Sequence, residues 1–241
     1  MPGYLTKHET IAVAGVADLC IRSLLDRQQF ADPQGVAERL GISSASWPLF
    51  GLLWPSGAHL AARLALRPVL AGERILELGC GLGLASLVAH RRGADVTASD
   101  CHPLAGAFLL ENLRLNGLLP MKYRHGQWGG TGLTAADTAP GDRPDHTTDN
   151  TLSGRFELII GSDLLYERDA QGHLAHYIQQ HATAVAEVWI VDPDRGNRPA
   201  FNRQMAGLGF DLLEHRLTAA PVLHGAGLPA YKGRLLQYLR H

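Results

Sequence analysis

Along the chain, short apolar runs alternate with amphipathic stretches, and the alternation becomes regular after the first seventy residues. From Thr10 to Ile21, β-branched stretches broken by Gly15 and Asp18 predict a small hairpin. Asp32-Pro33 then opens a helix, with Pro at its first position and Gly41 just beyond GVAERL. Ser56 is placed to cap a further helix, GAHLAARLALR, whose Leu60, Ala61 and Leu64 share one face and which Pro68 stops. These elements make an N-terminal lead over residues 1–70.

Residues 71–241 then read strand, helix, strand, helix. Strands are predicted at Arg74–Leu78, Asp95–Ala98, Met121–His125, Phe156–Gly161 and Glu187–Asp192, with two more at Phe210–Leu217 and Arg234–Leu239. Helices are predicted at Leu84–Arg91, Pro103–Asn116, Ala170–Thr183 and Pro199–Leu208. Such alternation implies an α/β fold with a doubly wound, mostly parallel seven-stranded sheet and helices on both faces. The last strand should run antiparallel to its neighbour, since the two final strands can pair across a Pro/Gly-rich connection. The stretch 129–154 lacks any period and is rich in Gly, Pro, Thr and Asp, so it reads as a flexible insertion. Its place after the third strand also suits a lid over a site at the sheet's carboxyl edge.

The chain is 46% hydrophobic and 19% charged, enough to bury a core. A net charge of −1 argues against a nucleic-acid partner held by a broad basic face. No apolar run is long enough to span a membrane, and MPGYLTKHET lacks the pattern of a signal peptide. Cys20, Cys80 and Cys101 are too scattered for a disulfide framework, so a reducing, cytoplasmic location is expected. No histidine or cysteine spacing matches a metal site; His173, His176 and His181 read as an exposed polar helix face.

The densest chemical signal is Glu77-Leu78-Gly79-Cys80-Gly81-Leu82-Gly83, between a predicted strand and a predicted helix. Glycines there let the chain turn sharply and admit a ligand close to the peptide plane, with Cys80 a small spacer. The G-x-G-x-G spacing is neither the dinucleotide form nor a P-loop. Asp100 lies 21 residues after Gly79 at the end of the second strand, where a carboxylate can accept both hydroxyl protons of a ribose or, alternatively, cap the next helix. Glu77 can hold a cationic ligand group or backbone amides.

Together these residues resemble the class I S-adenosylmethionine-dependent methyltransferases, whose fold is Rossmann-like. The resemblance implies S-adenosylmethionine as cofactor, leaving S-adenosylhomocysteine, with the glycine loop under its amino-acid part and Asp100 on the ribose. LLWPSGAHLA, QWGG and GSDLLYERD resemble, more narrowly, the "methyltransferase 16" group of protein lysine methyltransferases. That likeness implies cofactor contacts for Trp54, for Trp128 beside the adenine, and for Ser162. Gln127 stands where an acidic residue is common in the group. It also matches Asp163 and Tyr166 to the group's (D/E)-x-x-(Y/F) motif.

Methyl transfer from a sulfonium needs an amine lone pair about 3–3.5 Å from the methyl carbon. A free lysine, with a pKa of about 10.4, is almost wholly protonated at neutral pH. A carboxylate alone would stabilise the ammonium, so Asp163 is expected chiefly to orient the amine. Tyr166 offers it an aromatic face and a hydroxyl. The alternative is that Asp163 caps a helix and Tyr166 packs in the core. Asp192-Pro193-Asp194-Arg195 reads as a turn, with substrate recognition by Asp194 or Arg195 as a second reading. Trp47 and Phe50 are expected to pack in the core, with packing of the N-terminal lead across the cofactor site as the alternative. The expected activity is N-methylation of a protein lysine; a small amine or heteroaromatic acceptor, or a cofactor-binding module without turnover, are the alternatives. Oligomeric state is left open.

Overall fold

The computed structural model describes residues 4–129, 150–217 and 231–241. The predicted hairpin is there but sits further out on both sides, as β1 (Thr6–Ile11) and β2 (Leu19–Leu24), paired antiparallel from Thr6↔Leu24 to Ile11↔Leu19. The lead continues with a single-turn helix α1 (Val36–Arg39), then α2 (Pro55–Leu66). The main domain follows as β3 (Arg74–Leu78), α3 (Leu84–Arg91), β4 (Asp95–Asp100), α4 (Ala105–Leu115), β5 (Lys122–His125), β6 (Phe156–Ser162), α5 (His173–His181), β7 (Ala182–Asp192), α6 (Arg198–Gly207), β8 (Asp211–Leu217) and β9 (Gly233–Arg240).

Strands β3 to β9 form one seven-stranded sheet in the order β5-β4-β3-β6-β7-β9-β8. All neighbours are parallel except that β9 runs antiparallel to both β7 and β8. The order reverses between β3 and β6, the switch point where the carboxyl ends of strands open a crevice. Its borders are β5 and β8, and β8 is exposed along most of its length.

Strand side chains alternate between two apolar layers. Ile75, Leu158, Ile160 and Val191 join one core with α2, α3, α4 and the hairpin, whereas Leu76, Leu78, Ile159 and Ile190 join another with α5 and α6. Because both faces are covered, every residue of β3 after Arg74 is buried, the charged Glu77 included. The hairpin is tied to α4 by side-chain amides: Asn116 Oδ1 accepts the Cys20 N–H at 2.9 Å and Asn112 Oδ1 the Arg22 N–H at 2.8 Å. Two strand donors that would otherwise point at a helix are thereby satisfied. Among the described residues no helix is long and apolar enough to cross a membrane.

Several boundaries differ from expectation for local reasons. α1 starts at Val36 rather than at Pro33, because the Asp32 carboxylate accepts the N–H groups of Val36 and Glu38 and holds the chain in a turn first. Ser56 does not cap α2; Trp54 occupies the N-cap and Pro55 the first turn. α5 begins only at His173, where the Asp169 carboxylate accepts the His173 and Leu174 N–H groups. His181 is buried, its Nδ1 3.0 Å from the Gly154 carbonyl oxygen, so the expected exposed face holds only for His173 and His176. Of the expected insertion, residues 130–149 lie outside the described residues. Its last residues belong to the sheet: the His125 N–H donates to the Asn150 carbonyl at 2.7 Å, the Leu152 N–H returns to His125 at 2.8 Å, and Leu152 is buried.

Candidate functional site

Two turns at the carboxyl edge build the site, one after β3 and one after β6. In the first, Gly79, Gly81 and Gly83 all have positive φ (57°, 52° and 73°). A Cβ on Gly79 would lie 2.6 Å from Leu164, and one on Gly81 would lie 2.8 Å from the Phe50 carbonyl oxygen. The loop is thus wedged between the N-terminal lead and the turn after β6, and only glycine fits. The Cys80 N–H, donating to the Ser99 carbonyl at 3.0 Å, pins it to β4.

Glu77 is buried beneath this loop. Its Oε2 accepts the Ser86 N–H at 2.9 Å together with the Ser86 hydroxyl, which settles the backbone-amide role in this state. Burial pushes its carboxyl up to about 7, against the downward pull of Ser86. Asp100 Oδ2 accepts the Gly81 N–H and Oδ1 the His102 N–H, both at 2.8 Å. It therefore braces the glycine loop rather than capping α4, which starts five residues on. Burial raises this carboxyl too, while the backbone donors pull it back.

The lead closes over the loop. Phe50 stacks on the His102 ring at 3.7 Å between centroids, with planes 10° apart. Desolvation lowers His102 to about 4, so it is neutral at ordinary pH. Its Nδ1 accepts the Leu104 N–H at 3.2 Å, which places the ring proton on Nε2. Trp54 is held by its indole N–H, which donates to the Leu49 carbonyl at 2.9 Å, and its ring lies under the Arg27 guanidinium.

After β6, Ser162 ends the strand and Asp163 turns the chain with φ 58°, a left-handed conformation costly for a residue with a Cβ. The Asp163 N–H donates to the Val191 carbonyl at 3.0 Å. Arg195, from the turn after β7, ion-pairs with Asp163 Oδ1 at 3.0 Å and donates to the Asp163 carbonyl oxygen at 3.3 Å. Asp163 Oδ2 is buried with no hydrogen-bond partner among the described residues. Burial raises the Asp163 carboxyl, opposed by the Ser56 hydroxyl and the Arg195 guanidinium. Asp192, fully buried at the end of β7, accepts the Arg195 N–H at 2.8 Å and completes the turn read from the sequence. Tyr166 does not pack in the core: it is 46% exposed, although partial burial still raises its hydroxyl.

One cavity is lined by all the residues expected to meet cofactor or acceptor through the resemblance, namely Trp54, Glu77, Gly79, Cys80, Gly81, Gly83, Asp100, Trp128, Ser162, Asp163 and Tyr166; Asp194, the other candidate for substrate recognition, does not line it. Phe50, His102 and Arg195 also line it. Trp47 is held by its indole N–H on the Ile42 carbonyl, and Phe50 packs as expected, buried in the core while also lining the cavity. The signal for Arg195 was its position just past a strand's carboxyl end. A second cavity, about 700 Å³, adjoins the first and shares Trp128, Leu164 and Tyr166 with it.

The residues present suit a ligand with one cationic amino group and vicinal hydroxyls. The glycine turn leaves no Cβ in its path, and two buried carboxylates serve it, Glu77 beneath the loop and Asp100 bonded to its middle glycine.

No protein-family model matches the chain. It is 29% identical over 200 residues to the mouse (Mus musculus) electron transfer flavoprotein beta subunit lysine methyltransferase, covering 81% of this chain and 69% of that one. It is 26% identical over 212 residues to the calmodulin-lysine N-methyltransferase of Arabidopsis thaliana, covering 83% of this chain and 63% of that one. Among solved structures, the magnesium protoporphyrin IX methyltransferase of Synechocystis with bound S-adenosylmethionine superposes with a TM-score of 0.53 at 14% identity, over 77% of this chain and 78% of that one. The fold is that of the class I methyltransferases, with the seven-stranded, mostly parallel sheet and single antiparallel strand expected from the sequence.

Proposed function

We propose that this chain is an S-adenosylmethionine-dependent methyltransferase that methylates the side-chain amine of a protein lysine. The observation that carries the reading is the continuity of one cavity from the glycine cradle to Asp163 and an exposed Tyr166. A lysine on a folded protein needs such an open mouth, whereas a small-molecule acceptor is better served by complete enclosure. The named activities of the mouse and Arabidopsis relatives support it.

In this reading residues 1–70 are an extension that roofs the site and residues 71–241 the cofactor-binding domain. Glu77 and the turn from Gly79 to Gly83, with Cys80 as its spacer, receive the amino-acid end of S-adenosylmethionine. Asp100 receives the ribose, and Trp54, Trp128 and Ser162 line the remainder. When bound, S-adenosylmethionine supplies a sulfonium methyl; the amine lone pair forms the N–C bond as the C–S bond breaks, its electron pair staying on sulfur and a proton leaving the nitrogen.

The chain's own task is to present a neutral, aimed amine. Asp163 takes an N–H of the amine and fixes its direction, and Tyr166 covers it with an aromatic face and a hydroxyl. The three free thiols fit a reducing compartment, for which we take the cytoplasm. The acceptor is then a protein and not a nucleic acid or a membrane.

The test is transfer of label from radioactive S-adenosylmethionine into a fractionated lysate. A discrete protein band with label on lysine is expected. Label confined to small molecules would replace the protein with a metabolite amine. Cofactor binding with no transfer to any fraction would favour a non-catalytic module.

A further inference from the structure

Asp163 has two oxygens in unequal circumstances. Oδ1 is held by the Arg195 guanidinium at 3.0 Å, while Oδ2 is buried with no hydrogen bond among the described residues, the Ser56 hydroxyl lying near enough to the carboxylate to favour its charged form. The same guanidinium reaches the Asp163 carbonyl oxygen, so it grips both ends of a residue whose φ of 58° is unfavourable. A left-handed aspartate held this way costs free energy that the surrounding contacts must offset, and such strain gathers where a group must point in one direction. Arg195 is itself fixed through its backbone N–H on the buried Asp192.

We propose that Arg195 is a positioning residue for methyl transfer: by occupying Oδ1 it aims the Oδ2 of Asp163 at the incoming amine, and its charge offsets the carboxylate so that the amine gives up its proton readily. This rests on the lysine reading given above. An uncompensated carboxylate would hold the arriving amine as an ammonium, which has no lone pair to donate. A guanidinium beside it weakens that hold while leaving the oxygen as a hydrogen-bond acceptor. Among the described residues, the charged and titratable groups around Asp163 are Asp192 at the end of β7, Arg195 just after it, Tyr231 just before β9, whose hydroxyl is 2.8 Å from Ser56 Oγ, and Tyr166 at the mouth. Arg195 is the cation among them.

The sign follows from charge. Without the guanidinium, the Asp163 carboxyl binds its proton more tightly and the bound amine does so as well, so both move the acid limb of the pH–turnover profile upward. The experiment compares wild type, R195Q and R195K, with tritiated S-adenosylmethionine as donor and the protein fraction of a lysate as acceptor. Cofactor affinity is measured by calorimetry, folding by thermal melts, and the Asp163 carboxyl by NMR of carbon-13-labelled aspartate. R195Q should lose turnover by about 30-fold or more, shift the acid limb upward by about one pH unit and raise the Asp163 carboxyl, with cofactor affinity within about twofold of wild type. R195K keeps the charge but cannot hold Oδ1 and the carbonyl at once; its acid limb should stay in place and its turnover fall several-fold.

An unmoved limb and carboxyl in folded R195Q overturns the proposal, as does a loss that merely tracks melting. Should R195Q not fold, R195K decides, and unchanged turnover in R195K overturns the proposal. If wild type transfers no methyl group, the lysine reading fails and the catalytic assignment with it. The carboxyl titration would still separate that failure from a misplaced Arg195.

Discussion

The two turns at the carboxyl edge solve opposite problems. After β3 the chain turns on glycines, and its carboxylates are already paired: Glu77 with Ser86, and Asp100 with the Gly81 and His102 N–H groups. After β6 the chain turns on Asp163, with a Cβ in a left-handed conformation and one carboxylate oxygen buried without a hydrogen bond among the described residues. The first turn is complete before any ligand arrives, as suits a site that receives the same cofactor every cycle. In the proposed reading the second is completed only when an amine meets the Asp163 carboxylate, while its left-handed backbone is strained throughout. The difference is one of division of labour: a relaxed cradle for the constant ligand and a strained pointer for the variable one.

The sharpest way to break this comparison is Asp163→Ala. Turnover should fall about 100-fold while cofactor affinity, read by calorimetry, stays within about twofold. Asp163→Gly should be equally inactive yet more stable than Asp163→Ala by about 1 kcal/mol in denaturant melts, because glycine adopts positive φ without strain. Equal stability of the two would mean that the turn after β6 stores none.

Next in size is Gly81→Ala, whose Cβ would press on the Phe50 carbonyl at positive φ. S-adenosylmethionine affinity should weaken by about tenfold or more, the equivalent of 1.4 kcal/mol or above. Affinity unchanged from wild type would show that the cradle is not preformed.

Glu77 offers a pH test. Its folded carboxyl is raised from 4.5 to about 7, so the folded state binds this proton more tightly than the unfolded chain does. Its contribution to stability is therefore fully present below 4.5 and is lost as pH rises to about 7. Glu77→Gln should gain stability relative to wild type across that window, read from melts at a series of pH values. Wild-type affinity for the cationic cofactor should climb from about pH 5 to 7 as the carboxylate ionises, whereas Glu77→Gln should be flat. Parallel curves would remove the cationic-group role.

The smallest effect belongs to the seam between the two turns. Tyr231→Phe deletes the hydrogen bond to buried Ser56 and should cost about 1 kcal/mol in stability, measured by chemical denaturation. A much larger loss would mean that the segment just before β9 supports the acceptor turn directly.

What was legible in the sequence was what local chemistry decides. Arg74–Leu78 and Leu84–Arg91 fall at their expected bounds because the glycine turn between them punctuates both. Glu77 and the glycines from Gly79 to Gly83 fall on one short stretch, so finding one finds the others, whereas Trp54, Asp100, Trp128 and Ser162 come from four other segments and were reached through the resemblance. Ser56 shows the opposite: a serine after a proline looks like a helix cap, yet its partner is Tyr231, 175 positions away. β7 ran five residues longer than read, because Ala182–Ala186 carries no strand pattern of its own and is set by pairing, Phe156↔Ala182 and Ala186↔Arg240 among it. The tail of the expected insertion looked structureless for the same reason. The pairing of Arg195 with Asp163 and the stacking of Phe50 on His102 were not legible, since each joins residues from distant elements.

The borders of the sheet have a consequence of their own. β8 presents Asp211, Glu214, His215 and Arg216, with Glu214 paired to Arg198 and Arg234; β5 is brief and carries Lys122 and Arg124, its end covered by Asn150–Leu152. Charged, short or covered margins discourage an extended segment from another chain from annexing itself as an eighth strand. A methylating surface that must meet many copies of its target can then do so without polymerising with itself or with partly unfolded clients. In the proposed reading, that leaves the crevice at the carboxyl edge as the place where a target side chain is met.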